Sequence, residues 1–201
     1  MEKKSSKTKK VLIGIVLFVL LALIGLITFS PYGKHETFTF KEVGHTIDIN
    51  APTEKVFKFL GNSANASRWS VYVNHIITLN ADAVPDGAVG SRRRCFCNPD
   101  RTGRQWDELI TVVEKNKKRQ LTIYNLKDFN LKVDNLATEQ LYEPIDANKC
   151  RLTFIVFFKD VKPSLTDQVK MYFGAYDIKS VFKANMDNIK HIVEEEYAKG
   201  I

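Results

Sequence analysis

The hydrophobic positions of this chain follow different patterns in successive regions, and each pattern predicts a different kind of element. Residues 11–29, VLIGIVLFVLLALIGLITF, form an unbroken apolar run, and no charged residue follows until Lys34. A helix rises about 1.5 Å per residue, so a run of this length can cross a hydrocarbon core of roughly 30 Å. The first pattern therefore predicts one transmembrane helix over residues 11–30, anchored through Val11 to Phe29.

The flanks of this apolar run distinguish an anchor from other apolar segments. A buried helix would rarely lack every polar interruption, and the apolar core of a cleaved signal peptide is shorter, about 7–15 residues. The sequence FSPYG after the run offers no Ala-x-Ala cleavage site. Residues 1–10 form a basic tail with five lysines, whereas only Lys34 and Lys41 lie close to the other end. Because positive charge is retained in the cytoplasm, we expect a single-pass membrane protein with a cytoplasmic N-terminus and an extracytoplasmic C-terminal domain.

Beyond a linker over residues 31–42, hydrophobic and polar positions alternate, as they do in half-buried strands. Turn sequences such as VPDG and NPDRTG separate the alternating segments, which indicates an antiparallel meander. The predicted strands cover residues 44–50, 73–80, 89–97, 105–114, 119–126, 137–144 and 149–158.

Helical spacing follows the first strand and returns at the end of the chain. A helix after Ala51-Pro52 places Val56, Phe57 and Leu60 on one side, and residues 62–69 predict a second, short helix. Residues 164–199 predict one long helix, because apolar residues recur there at threes and fours. Its predicted inward stripe comprises Leu165, Val169, Phe173, Tyr176, Ile178, Val181, Phe182, Asn185, Ile189 and Ile192. These elements predict an α+β fold, with a curved antiparallel sheet of about seven strands around the long helix.

Several stretches resemble the SRPBCC or START-like superfamily, especially its polyketide cyclase/dehydrase and lipid-transport branch. They are IDINAPTEKVFKFLGNSANASRWSVYV, VGSRRRCFC, QWDELITVVE and CRLTF, and the resemblance covers about residues 44–196. Its marks are a strand leading into Ala-Pro and a helix, a tryptophan after the second helix, Val-Gly opening a later strand, and an acidic residue after Trp106. The resemblance implies a START-like helix-grip domain over residues 43–201, with a cavity for hydrophobic or amphipathic molecules. Family members include transporters, sensors, cyclases and hydrolases, so the fold does not select an activity.

The net charge of +7 is concentrated at the N-terminus, since residues 1–10 contribute +4 of it. The one arginine-rich tract in the sequence is Arg92, Arg93 and Arg94. In a strand, alternation places Arg92 and Arg94 on one face, and Arg93 with Cys95 and Cys97 on the other. The cluster is therefore not one basic patch, and we expect no nucleic-acid partner.

Motifs for metal binding and for nucleophilic catalysis are weak in this sequence. Cys-x-Cys within a strand lacks the turn that usually wraps such ligands around a metal, and His35, His45, His75 and His191 are scattered. No Gly-x-Ser-x-Gly elbow is present. We therefore expect no metal and no cofactor, and we assign no catalytic residue. A disulfide from Cys150 to Cys95 or Cys97 stays open.

Glu108 is the one candidate acid or base, and two interpretations of it stay open. Alternation places Trp106, Glu108 and Ile110 on one face of their strand. If this face meets the cavity, Glu108 is a carboxylate among apolar groups. Alternatively, Glu108 pairs with an arginine on the neighbouring strand or lies in water at the sheet rim. The second interpretation is favoured, because the opposite face is nearly as apolar.

These observations predict a membrane-anchored START-like domain that binds a hydrophobic or lipid-like small molecule between the sheet and the long helix. Polar selectivity is expected from Glu108 or Asn185. The predicted lining residues are Trp69, Trp106, Glu108, Ile110, Phe154, Phe173 and Tyr176. One alternative is a cyclase/dehydrase-type enzyme acting on a polyketide-like substrate, and another is an envelope interaction module without a ligand. A large apolar cavity would favour binding, and a collapsed one would favour the interaction module.

The predicted topology can be tested with a reporter fusion. Alkaline phosphatase fused after Ile201 should be active, because the enzyme needs the disulfides that form outside the cytoplasm. An inactive fusion, together with an active cytoplasmic reporter at the same position, would reverse the topology.

Overall fold

The computed structural model describes residues 3–34, 38–129, 133, 135–159 and 162–200, so His35 lies outside it. The described helices are α1 (Lys3–Thr28), α2 (Thr53–Gly61), α3 (Ala66–Trp69) and α4 (Leu165–Ala198). The strands are β1 (Gly33–Lys34), β2 (Lys41–Ile49), β3 (His75–Thr78), β4 (Arg92–Phe96), β5 (Gln105–Glu114), β6 (Lys118–Lys127), β7 (Leu136–Asp146) and β8 (Lys149–Phe158). This architecture confirms the predicted α+β class and the helix-grip fold.

Helix α1 carries the apolar run. The segment Thr8–Thr28 has a mean hydropathy of 3.1, and none of it is buried. Its length and composition suffice to cross a membrane, as the sequence predicts, and the same properties are typical of a signal sequence. The orientation of the chain across a membrane therefore stays a prediction.

The strands form one antiparallel sheet in the order β1-β2-β8-β7-β6-β5-β4-β3. The last strand thus returns to pair with β2, and the other strands follow one another as the predicted meander. β1 adds two residues that the sequence assigns to the linker, and β2 begins at Lys41, three residues before the predicted start. Register shifts between β5 and β6, at Gln105/Asp107 and Ile110/Val112, bend the sheet, because a bulge increases local twist.

Part of the predicted linker covers the outer face of the sheet. The Phe40 ring stacks on Phe157 of β8 with centroids 4.4 Å apart, and Phe38 stacks on Phe40 at 5.4 Å. These rings pack against Ala137 and Ile155, which are buried on the same face. The outer face of β7 and β8 is therefore shielded from water by the segment that follows α1.

Helix α4 lies across the concave face of the sheet and forms the core with β2, β7 and β8. Its second half packs Met186, Ile189 and Val193 into a cluster with residues of β2, α2, β7 and β8. Its first half packs Met171 and Ala175 into a second cluster with residues of β2, β7 and β8. The helix begins at Ser164, whose hydroxyl accepts a hydrogen bond from the Asp167 N–H at 3.1 Å.

The predicted inward stripe of α4 is correct from Ile178 onward and wrong for the four residues before it. Leu165, Val169, Phe173 and Tyr176 are 78%, 42%, 36% and 38% exposed, respectively. The first half carries apolar residues on two faces, so spacing alone does not identify the buried one. The small side chain of Ala175 lets the backbone approach the sheet, and the face that contains it is the buried one.

Candidate ligand cavity

A cavity of about 690 Å³ lies between the sheet and α4. It exists because α4 packs on the part of the sheet that contains β2 and β8, while β4, β5 and β6 contribute the opposite wall. The apolar part of the lining includes Val73, Leu121, Ile123, Leu136, Val156, Met171, Ile178, Val181 and Phe182. The open space between sheet and helix is thus the main feature around which the predicted site residues can be placed.

Four of the seven predicted lining residues border this cavity. Trp69 at the end of α3, Trp106 and Glu108 on β5, and Phe154 on β8 all contribute to its wall. The rings of Trp69 and Phe154 meet edge to face, with centroids 6.2 Å apart. The open question of which face of β5 meets the cavity is therefore answered: it is the face of Trp106 and Glu108. Whether these residues bind a ligand stays a prediction.

The other three predicted lining residues lie outside the cavity wall. Ile110 is completely buried on β5, beside Leu121 of β6, and packs in the closed interior. Phe173 and Tyr176 point away from the sheet, and the Tyr176 hydroxyl donates to the Leu26 carbonyl oxygen at 2.9 Å. Their placement in the wall is corrected because the other face of α4 meets the sheet.

The cavity-facing side of α4 was partly missed by the sequence interpretation. In the first half of the helix this side includes Met171, Gly174 and Ile178, which recur at spacings of three and four. The neighbouring small residues Gly174 and Ala175 are a signal that could have identified it. A helix side with small residues is one that can approach another backbone closely.

Glu108 combines both interpretations that the sequence left open, since it borders the cavity and pairs with an arginine on the neighbouring strand. Arg93 of β4 donates from Nη2 to Glu108 Oε2 at 3.3 Å, and Trp106 Nε1 donates to Oε1 at 2.9 Å. Arg93 Nη1 also lies 3.9 Å from Asp86 Oδ1. The side chains of Arg93 and Glu108 are only 6% and 16% exposed. Glu108 is therefore held in a shielded ion pair at the cavity wall.

The ion pair does not use every hydrogen-bond donor of Arg93. Arg93 Nε is buried and has no hydrogen-bond partner in the described part of the chain. Cys95, which follows two residues later on the same face of β4, also borders the cavity. Burial raises the pKa of the Cys95 thiol well above its ordinary range, so the thiol is neutral and weakly reactive at neutral pH.

A second polar group lies beside the cavity, under α2. The Arg119 guanidinium donates to Gln140 Oε1 at 3.3 Å and to the Tyr142 hydroxyl at 3.1 Å, and lies 4.4 Å from the centre of the Phe57 ring. Burial lowers the pKa of Arg119 and raises that of Tyr142. Phe57 is therefore half-buried over a cation, whereas Phe59 takes the fully packed position beside Val56.

Asn185 borders the cavity but uses its carbonyl group to hold a loop. Its Oδ1 accepts a hydrogen bond from the Val71 N–H at 2.8 Å, which ties the segment after α3 to α4. Three residues later, Asn188 Nδ2 donates to the Trp69 carbonyl oxygen at 3.0 Å. These bonds position Trp69 in the wall, so Asn185 acts mainly as a structural residue here.

Arg93, Arg94 and Cys95 have the arrangement that alternation predicts for β4, whereas Cys97 lies just beyond the end of this strand. Arg93 and Cys95 face the cavity, and Arg94 points to the other face, where it binds Asp107 at 2.6 and 2.9 Å. Cys95, Cys97 and Cys150 are all free thiols, so Cys150 forms no disulfide with Cys95 or Cys97 in this structure. Among the described residues, no group of three or more histidine, cysteine or acidic residues could hold a metal ion.

Comparison with protein families identifies one that matches most of the chain. Residues 41–194 match the model of the family described as polyketide cyclase / dehydrase and lipid transport. The match begins at the first residue of β2 and ends four residues before the end of α4. It therefore covers β2 to β8, the cavity and most of α4, and excludes α1 and β1. No curated protein matches this chain significantly in sequence.

Several solved structures share the fold. XoxI from Bacillus cereus is 14% identical, covers 76% of this chain and 94% of its own, and has a TM-score of 0.55. The di-domain ARO/CYC BexL from the BE-7585A biosynthetic pathway is 14% identical over 78% of this chain and 47% of its own, with a TM-score of 0.59. Norcoclaurine synthase from Thalictrum flavum, in complex with dopamine and hydroxybenzaldehyde, is 12% identical over 78% and 88%, with a TM-score of 0.55. At these identities the similarity establishes the fold alone.

The ion pair at the cavity wall can be tested with a double-mutant cycle. Arg93→Met and Glu108→Gln should each lower the free energy of unfolding by roughly 1–3 kcal/mol, because each leaves its partner unpaired in a shielded site. The double variant should lose clearly less than the sum. Urea unfolding followed by circular dichroism measures the coupling. As a matched control, the exposed pair Lys183 and Asp187 should couple by less than about 0.5 kcal/mol. Additive losses at Arg93 and Glu108 would contradict the pairing.

Proposed function

We propose that this chain, which belongs to the polyketide cyclase/dehydrase and lipid transport family, is a membrane-anchored domain that binds a hydrophobic or lipid-like small molecule. The observation that carries the proposal is the cavity of about 690 Å³ between the sheet and α4, with largely apolar walls. Cavities of about 300–1,000 Å³ are typical of small-molecule sites. An interaction module without a ligand would have no need of such a space, so the open cavity supports ligand binding.

The chemistry of the wall favours an amphipathic ligand. Most of the wall offers only carbon atoms, which favours an apolar body through the hydrophobic effect. Arg93 and Glu108 add a polar spot to this wall. A hydroxyl, carbonyl or carboxylate on the ligand would be favoured beside this ion pair. We therefore propose a ligand with a long or polycyclic apolar part and a polar group near Arg93.

The anchor has a direct use in this function. A lipid-like molecule is poorly soluble in water and concentrates in the bilayer. Helix α1 would keep the cavity within a short distance of that source, with the domain outside the cytoplasm and the basic tail inside. Anchoring thus shortens the path of the ligand between bilayer and cavity.

Ligand binding in the cavity can be tested by filling the cavity with larger side chains. The double variant Ile178→Trp/Val181→Trp places two large side chains on the cavity side of α4. It should reduce ligand retention at least about tenfold, or ~1.4 kcal/mol, because the ligand and the new rings compete for one volume. Native mass spectrometry of the full-length chain released from detergent, with extraction of bound lipids, measures retention.

The matched control for this experiment is Ser180→Trp, on an exposed position of the same helix. It should retain ligand like the unmodified chain. A chain that is consistently empty and accepts neither lipid nor an apolar fluorescent probe would contradict the proposal. Equal retention by the filled variant would contradict the location of the site.

A second candidate function is a cyclase/dehydrase-type reaction on a polyketide-like substrate. The observation that favours it is a carboxylate at the cavity wall, Glu108, held by Trp106 and Arg93. General acid–base catalysis needs such a group within hydrogen-bond reach of the substrate. The structural similarity to BexL, an ARO/CYC protein of a biosynthetic pathway, supports only the fold.

Glu108→Gln separates the two functions. If the chain is an enzyme of this kind, the variant should lose turnover of a poly-β-ketone substrate while it still binds ligand. Glutamine keeps the shape of glutamate but cannot act as a general acid or base. The control Glu114→Gln, on an exposed position of the same strand, should leave turnover unchanged. Absence of turnover in the unmodified chain, together with ligand retention, would favour the binding function.

A further inference from the structure

The face of α4 that points away from the sheet changes character along the helix. Leu165, Val169, Phe173 and Tyr176 lie on this face at spacings of four, four and three, and all are exposed; we call them the outer apolar stripe. The same face continues with exposed polar residues, namely Ser180, Lys183 and Asp187. Lys183 and Asp187 form an ion pair at 2.6 Å in water. The apolar part is therefore confined to the first half of the helix.

A contiguous exposed apolar stripe of this kind has a cost in water. It extends over the twelve residues 165–176, or about 16 Å of helix. Apolar patches on soluble surfaces generally mark a contact with another molecule or with a membrane. Leucine, valine, phenylalanine and tyrosine side chains are the kind that lie in the interfacial layer of a bilayer, with tyrosine at the headgroup level.

The structure places the stripe beside the end of α1. The Tyr176 hydroxyl donates to the carbonyl oxygen of Leu26 at 2.9 Å, and Ser30 Oγ donates to the carbonyl oxygen of Tyr172 at 2.6 Å. Lys41 Nζ donates to the Tyr172 hydroxyl at 2.6 Å. Several backbone carbonyls at a helix C-terminus lack partners within the helix, so the bond from Tyr176 satisfies one of them. These bonds hold α4 at the level where the apolar run of α1 ends.

We infer that the outer apolar stripe rests on the surface of the lipid bilayer next to the exit point of α1. The inference rests on the proposed membrane anchor, and it adds a second contact between the domain and the membrane. Continuity supports the bilayer as the partner. The exposed apolar run that contains α1 ends at Phe29, and Tyr176, the last residue of the stripe, contacts Leu26. The polar face from Ser180 onward then lies in water.

This placement orients the cavity toward the membrane. The first half of α4 has the outer apolar stripe on one side, and Met171, Gly174 and Ile178 of the cavity wall on another. One helical segment therefore separates the bilayer from the cavity. A lipid-like ligand moving along this segment would leave the bilayer and enter the cavity without diffusing through bulk water.

Lipid quenching measures the position of the stripe directly. The full-length chain is reconstituted into phosphatidylcholine vesicles with a bimane label at Leu165→Cys, Val169→Cys or Phe173→Cys. Labels at Lys183→Cys and Asp187→Cys, on the same face, are the matched controls, and the unmodified chain measures the background from the native cysteines. Phosphatidylcholine with a spin label near the headgroup should quench the stripe labels at least roughly threefold more than the controls.

The outcomes of this experiment separate the bilayer from other partners. Equal quenching at stripe and control positions would overturn the inference. Protection of the stripe labels that rises with the ratio of protein to lipid, without lipid quenching, would assign the stripe to a second copy of the chain and would also overturn it. Strong quenching at any protein-to-lipid ratio supports the bilayer.

The rate of ligand transfer from vesicles tests whether the stripe takes part in ligand exchange. Phe173→Glu places a charge in the stripe without altering the cavity wall, and it should slow ligand transfer from vesicles about tenfold while leaving the amount bound at equilibrium unchanged. Ser180→Glu, one turn outside the stripe, should change neither. An unchanged transfer rate would overturn the role of the stripe in exchange. A chain that shows lipid quenching of the stripe but binds no ligand would refute the proposed function and leave the stripe contact intact.

Discussion

The packing of one long helix against one part of a curved sheet determines the rest of this structure. Helix α4 closes its contact with β2 and β8 at two clusters, one around Met171 and Ala175 and the other around Met186 and Ile189. Side chains there are packed without exposure, which stabilises the fold through the hydrophobic effect. A curved sheet cannot follow a straight helix over its whole width. The cavity is the space that remains where β4, β5 and β6 stand away from α4.

The polar groups at this cavity face inward, so they need partners within the protein. Arg93 and Glu108 face inward on neighbouring strands, so a shielded cation and anion are compensated by each other and by Trp106. Removing water from both ions costs free energy that the pair only partly recovers. Such a pair is a weak source of stability. Its position at the cavity wall is why we propose a role for it in ligand selection.

The first half of α4 borders both the end of α1 and the cavity. One side carries the outer apolar stripe and contacts the end of α1 through Tyr176, and another side carries cavity-wall residues such as Ile178. The same bonds that fix α4 beside α1 therefore fix the orientation of the cavity relative to α1. The proposed ligand binding and the proposed membrane contact would then both depend on the position of this one helix.

Local patterns in the sequence were sufficient to predict the apolar helix, the seven longer strands, their meander order and the shared face of Arg93 and Cys95, because periodicity reports which residues share a face. The order of elements with the Ala-Pro and Trp106 motifs was sufficient to indicate the helix-grip fold. Periodicity could not identify which face is buried when both are apolar, as in β5 and in the first half of α4. Phe173 and Tyr176 were therefore placed inside, whereas the closest packing occurs at Ala175. The facing of Glu108, its pairing with Arg93 and the cavity itself depend on contacts between residues far apart in the chain, and only the assembled sheet and helix establish them.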